Sequence, residues 1–148
     1  MEKICNKVYH ISRILIYSFL KYKALFLPRR TVSYSDYATV LRLCVQIEKK
    51  HPLTINFPFL LFQAEMSRAN IVRDEQLLQS VIRLYSQVTI QIADSNRTLN
   101  LQLVRPSEEN LKEFKLSILS ALGMVLFAQT QGQTIWYHKR PLKILNVA

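Results

Sequence analysis

The chain has 148 residues, 49% of them apolar, and a formal net charge of +10. Its length and apolar content suit one folded domain with a real core and exclude wholesale disorder. Its two glycines, Gly123 and Gly132, are too few for the clustered glycines of a P-loop or dinucleotide-binding turn, where backbone must approach phosphate closely.

The charge is uneven. Residues 1–52 hold ten Lys/Arg against three Asp/Glu, whereas residues 53–148 hold ten against seven. A basic N-terminal third interleaved with aromatic residues points to an anionic partner. Residues 7–27 are predicted to form a helix that stops before Pro28. Ile11, Ile14, Leu15, Tyr17, Phe19 and Leu20 supply its expected protein-binding face. The apolar stretch from Ile14 to Leu20 is short of the roughly 20 residues that span a membrane, and Lys21 and Lys23 follow at once. Lying on an anionic membrane surface, or acting as an organellar targeting segment, are the alternatives for this region.

Ser35 and Asp36 can cap a helix running to about Lys49, with Val40, Cys44 and Ile47 among its apolar residues. Cys44 reads as a buried thiol, and no CxxC pair occurs. Asn56-Phe57-Pro58 can start a second helix ending near Met66. A further helix is expected from Asp74, because Leu77, Leu78, Val81, Ile82 and Tyr85 recur at helical spacing.

The period then changes to two. Val88, Ile90 and Ile92, then Leu99, Leu101 and Leu103, alternate with polar residues on either side of Asp94-Ser95-Asn96-Arg97, which predicts a β-hairpin. Pro106-Ser107 should open a long helix with Leu111, Phe114, Ile118, Leu122 and Val125 as its stripe, ending near Gly132. Thr134–Tyr137 reads as a short strand, Lys139-Arg140-Pro141 as a break, and residues 142–145 as a last short strand. The expected fold class is therefore α+β: a mainly helical single domain with an antiparallel β-hairpin around residues 87–105, followed by a long core helix. Residues 1–30 form a basic, apolar helix and connector; residues 31–148 form the compact domain.

Chemistry is sparse. His10, His51 and His138 lack partners at metal-binding spacing, and a zinc site needs four convergent ligands. No serine sits in a glycine-flanked elbow. The pairs Asp74-Glu75 and Glu108-Glu109 are explained by helix starts; Glu65 and Asp94 are the other notable carboxylates. No catalysis, cofactor, metal or small-molecule substrate is expected. Arg30-Thr31-Val32-Ser33 has the outline of a phosphorylation site for a kinase that prefers bases.

Binding is better supported. Lys21, Lys23, Arg29, Arg30, Lys49, Lys50, Lys139, Arg140 and Lys143 could face phosphates, with Trp136 available for stacking on DNA or RNA. The favoured reading is a non-catalytic interaction subunit of a larger macromolecular assembly, docking on a protein partner through amphipathic helices. Direct nucleic-acid binding is the first alternative and peripheral association with an anionic membrane the second. Nucleus or cytoplasm is the expected setting, with an organelle as a third choice and secretion disfavoured.

Overall fold

A computed structural model of the chain describes residues 15, 16, 18, 19, 22, 25–51 and 56–148. Strand β1 (Thr31–Ser33) runs directly into helix α1 (Tyr34–Lys50), and the junction is a side-chain cap. The Asp36 N–H donates to Ser33 Oγ at 3.3 Å, so the helix starts earlier than the expected Ser35-Asp36 cap. Ser33 is fully buried as well as capping, which removes it from the surface that a kinase would need. Val40 and Cys44, one turn apart, carry the buried face, while Lys49 and Lys50 oppose the negative helix end.

Helix α2 (Phe57–Met66) starts as expected: Asn56 Oδ1 accepts the Phe59 N–H at 3.1 Å, and Pro58 occupies the first turn. Phe59, Leu60, Phe62, Ala64 and Met66 are all buried, too broad a set for one stripe, so α2 is covered on more than one side. Strand β2 (Asn70–Val72) then pairs parallel with β1, Val32 opposite Ile71. The order β1–α1–α2–β2 closes an N-terminal unit.

The helix expected from Asp74 is one 3₁₀ turn, Asp74–Gln76. Leu77 is already extended, Tyr85 has φ 70°, and Leu78 is 69% exposed. The Ile82 N–H bonds across the fold to Gln129 O at 2.8 Å rather than one turn back, so Leu77, Val81 and Ile82 are buried without forming a helix.

The remaining strands are β3 (Gln87–Ile92), β4 (Arg97–Val104), β5 (Lys115–Ser117), β6 (Thr134–Tyr137) and β7 (Arg140–Val147). They form one sheet in the order β5-β4-β3-β7-β6, antiparallel except for the parallel β4–β5 pair. The β3–β4 hairpin has the expected alternation: Val88, Ile90, Leu101 and Leu103 are buried. On β7, Thr89 faces Asn146 but Ile90 faces Ile144, so Leu145 is an extra residue. That bulge lets both Ile144 and Val147 turn inward despite their odd spacing.

The expectation of a mainly helical fold is wrong. Among the described residues seven strands are present, and the long core helix after the hairpin does not form. Its span holds two 3₁₀ turns, Pro106–Glu108 and Leu111–Glu113, then β5, then the short helix α3 (Ala121–Leu126). Phe114 takes a left-handed conformation, φ 55°, which ends any helix, and Leu111 and Phe114 are exposed. Lys115–Ser117 gains more by pairing with β4. The break expected at Lys139-Arg140-Pro141 also moves: the turn is His138-Lys139, both at positive φ, and Arg140 and Pro141 already belong to β7.

One core joins the two units. Val32, Val40, Phe59, Phe62 and Met66 pack with the inner face of the sheet and with Ile118, Leu126 and Phe127. Phe62 and Phe127 meet edge-to-face, ring centroids 6.2 Å apart.

Candidate docking face on the sheet

Strands β6 and β7 set the geometry of the face. Register places Trp136 opposite Pro141 and Thr134 opposite Lys143, while Lys143 also lies opposite Gln91 of β3. Side chains alternate along a strand, so Trp136, Pro141 and Lys143 share the face turned away from the core residues Ile135, Leu142 and Ile144. Trp136 is 68% exposed, and Leu145 at the bulge is partly exposed. Arg140 has the parity of Leu142 and therefore leaves the hairpin on the other side. Lys139 stands at the turn with φ 62°. The four residues expected to form one patch divide: Trp136 and Lys143 come together, Lys139 marks the tip, and Arg140 departs from them.

The other sequence-derived candidates lie elsewhere. Lys49 and Lys50 are exposed at the end of α1, and Arg29 is exposed beside a cleft of about 200 Å³ lined also by Thr31, Gln76 and Gln133. Leu15 and Phe19 are exposed, while Ile11, Ile14, Tyr17, Leu20, Lys21 and Lys23 lie outside the described residues.

Arg30 is not a phosphate-facing group. Its side chain is 9% exposed, and its guanidinium makes three hydrogen bonds inside the protein. Nη1 donates to the carbonyls of Met124 at 2.6 Å and Phe127 at 2.9 Å, Nη2 pairs with Glu65 Oε2 at 2.6 Å, and the group lies over the Phe62 ring. Burial lowers the Arg30 guanidinium, and the Glu65 charge opposes that; burial likewise raises the Glu65 carboxyl against the pull of Arg30.

A second polar clasp joins the units. Asp36 Oδ2 accepts the Leu84 N–H at 3.3 Å and lies 3.5 Å from Arg83 Nε. Arg83 also reaches Asp74 Oδ2 at 3.4 Å and Ser33 Oγ at 3.3 Å. Burial raises the Asp36 carboxyl, while Arg83, the Leu84 N–H and Ser33 hold it down. Asp74 is shifted the other way, lowered chiefly by hydrogen bonds from the Ser35 hydroxyl and N–H. These clasps fix the N-terminal unit against the sheet that carries Trp136. Sequence reasoning missed them. The one available signal was Glu65, a lone charge in the otherwise apolar run of α2.

Among the described residues no cluster of His, Cys, Asp and Glu could hold a metal ion, and no helix is long and apolar enough to cross a membrane.

The chain that carries this sheet and its exposed face resembles known proteins. Residues 77–148, just under half of the chain but the whole five-stranded sheet, match the family described as "Transcription elongation factor, GreA/GreB, C-term". Two proteins are similar over longer stretches. The transcription elongation factor GreA of Thermodesulfovibrio yellowstonii is 27% identical over 84 residues, 57% of this chain and 52% of that protein, so this chain spans about half the length of that curated relative. A solved structure of a prokaryotic transcription elongation factor GreA/GreB from Nitrosomonas europaea superimposes with a TM-score of 0.66 at 26% identity, covering 82% of this chain and 98% of that one.

Proposed function

We propose that this chain is a GreA/GreB-type transcription elongation factor that acts by docking on RNA polymerase. The observation that carries the reading is the match of residues 77–148 to the C-terminal family, supported by a superposition that extends over the N-terminal unit as well. It agrees with the expectation of a protein partner in a large assembly and replaces the nuclear setting by the bacterial cytoplasm or nucleoid.

The docking element is the exposed β6–β7 face. Trp136 supplies a large amphipathic ring at low conformational cost, Pro141 and Leu145 extend its apolar area, and Lys143 gives orientation. Nucleic-acid contact through the remaining Lys/Arg is secondary to that protein contact. Core bacterial RNA polymerase, passed over the immobilised chain with and without nuclease, tests the proposal. Retention that survives nuclease is expected, and Trp136→Ala should weaken it by about 30-fold, the scale of a 2 kcal/mol hot spot. Retention that disappears with nuclease, or no retention, overturns it.

A further inference from the structure

Two arginines from different units share one groove. Arg42 of α1 and Arg105, just after β4, line a cavity of about 270 Å³ together with Thr39, Leu43, Gln46 and Ser107. Thr39, Arg42 and Gln46 fall on one helical face. The lining holds two guanidinium groups, two hydroxyls and a carboxamide, but no carboxylate.

Neither cation has an ion-pair partner among the described residues. Arg42 makes only long contacts of 3.4 Å, from Nε to Ala38 O and from Nη2 to Thr39 Oγ1, which orient the guanidinium and leave most of its donors free. The acid closest in sequence to Arg105 is Glu108. Its Oε2 is already occupied, accepting the Tyr85 hydroxyl at 2.8 Å and the Arg105 backbone N–H at 3.2 Å. Two like charges therefore line one concave space with forked donors and hydroxyls, and no carboxylate is part of its lining. A tetrahedral oxyanion answers that arrangement, because each guanidinium can donate two parallel hydrogen bonds. The volume is just below the roughly 300 Å³ at which pockets begin to enclose whole small molecules. It suits a phosphate or diphosphate group better than an entire nucleoside.

We propose that this groove binds the phosphate group of a small phosphate-bearing ligand, either a free oligophosphate or the phosphate end of a nucleotide. Because Arg42 and Arg105 belong to different units, the bound anion would also tie α1 to the end of β4. The site is independent of the polymerase-docking reading and stands or falls separately.

The test is a ¹⁵N NMR titration of the full chain with inorganic pyrophosphate at constant ionic strength. Saturable shifts at Thr39, Arg42, Gln46, Arg105 and Ser107 are expected. Arg42→Gln and Arg105→Gln should each weaken affinity by about tenfold or more, the cost of a charge-assisted hydrogen bond, with the rest of the spectrum unchanged. The rise in melting temperature that pyrophosphate gives the native chain should vanish in both variants. A nucleoside triphosphate that binds the same residues more tightly than pyrophosphate identifies a nucleotide as the source; equal affinity identifies a free oligophosphate. Shifts that never saturate, that centre on Arg140 and Lys143, or that persist in both variants overturn the proposal. Displacement of pyrophosphate by a single-stranded oligonucleotide also overturns it, in favour of a nucleic-acid backbone.

Discussion

Arg30 and Glu65 meet at 2.6 Å through Nη2 and Oε2, with their side chains 9% and 13% exposed. Arg30 precedes β1 and Glu65 lies near the end of α2, and the same guanidinium closes two carbonyls around the end of α3. One side chain thus holds three segments. Arg30→Met leaves Glu65 buried without a partner and two carbonyls without donors, and should cost about 3–5 kcal/mol. Arg30→Lys keeps the charge but cannot reach three acceptors as a fork, so it should recover only part of that loss. Urea denaturation of the three proteins reads the difference.

Gly123 marks where α3 presses on β5. A Cβ added there would stand 2.0 Å from the Ser117 carbonyl oxygen, a backbone atom held by hydrogen bonds from the Ser120 N–H and hydroxyl. Gly123→Ala should therefore destabilise by at least the upper end of the roughly 1–3 kcal/mol typical of overpacking. Gly132 has a φ of +90° and open space around it, so Gly132→Asn should be far milder. Thermal melts of the two variants separate steric from conformational cost.

Burial pushes the Cys44 thiol up to about 12, with Glu48 adding to the effect. In a Cys5→Ser background the thiol should stay unreactive toward a disulfide reagent at pH 8 and react fully once urea unfolds the chain. Rapid labelling of the folded protein would contradict the buried placement of α1.

Asp74 titrates below the ordinary aspartate range because Ser35 donates to it twice. Its folded value lies under the unfolded value of about 3.9, so the stability it contributes is present above that pH and is lost as pH falls through the folded value. Ser35→Ala should raise the Asp74 carboxyl and flatten that acid limb. A carboxyl-carbon NMR titration of Asp74 in both proteins measures the shift directly.

The parts of the fold that were legible in the sequence are those set by neighbours along the chain. The β3–β4 hairpin follows from a period of two that no helix can bury on one side. Helix α2 follows from Asn56 and Pro58 at its start. The region 107–126 misled because apolar residues at helical spacing cannot reveal which of them are covered: Ile118 and Leu126 are fully buried, whereas Leu111 and Phe114 face water. What decides their fate is pairing between β4 and β5 and the left-handed turn at Phe114, and neither leaves a periodic trace. The candidate site was half legible. Sequence groups Trp136 and Lys143 as nucleic-acid contacts rather than as a protein-docking face, and the parity that separates Arg140 from them depends on where the β6–β7 turn falls. Arg30 looked like surface charge because its partner lies 35 residues away.

The sheet order also has a consequence for how the protein is made. Strand β7 sits inside the sheet, between β3 and β6, and residues 87 and 148 bond to each other in both directions. On the ribosome, β3 and β4 can pair early, but the far edge of β3 stays bare until residues 140–147 have left the exit tunnel. For that interval an open strand edge and an uncovered apolar face are available to other nascent chains. A chain halted before residue 140 would expose that edge permanently, so such a fragment should be cleared or aggregate rather than persist as a shortened, working protein.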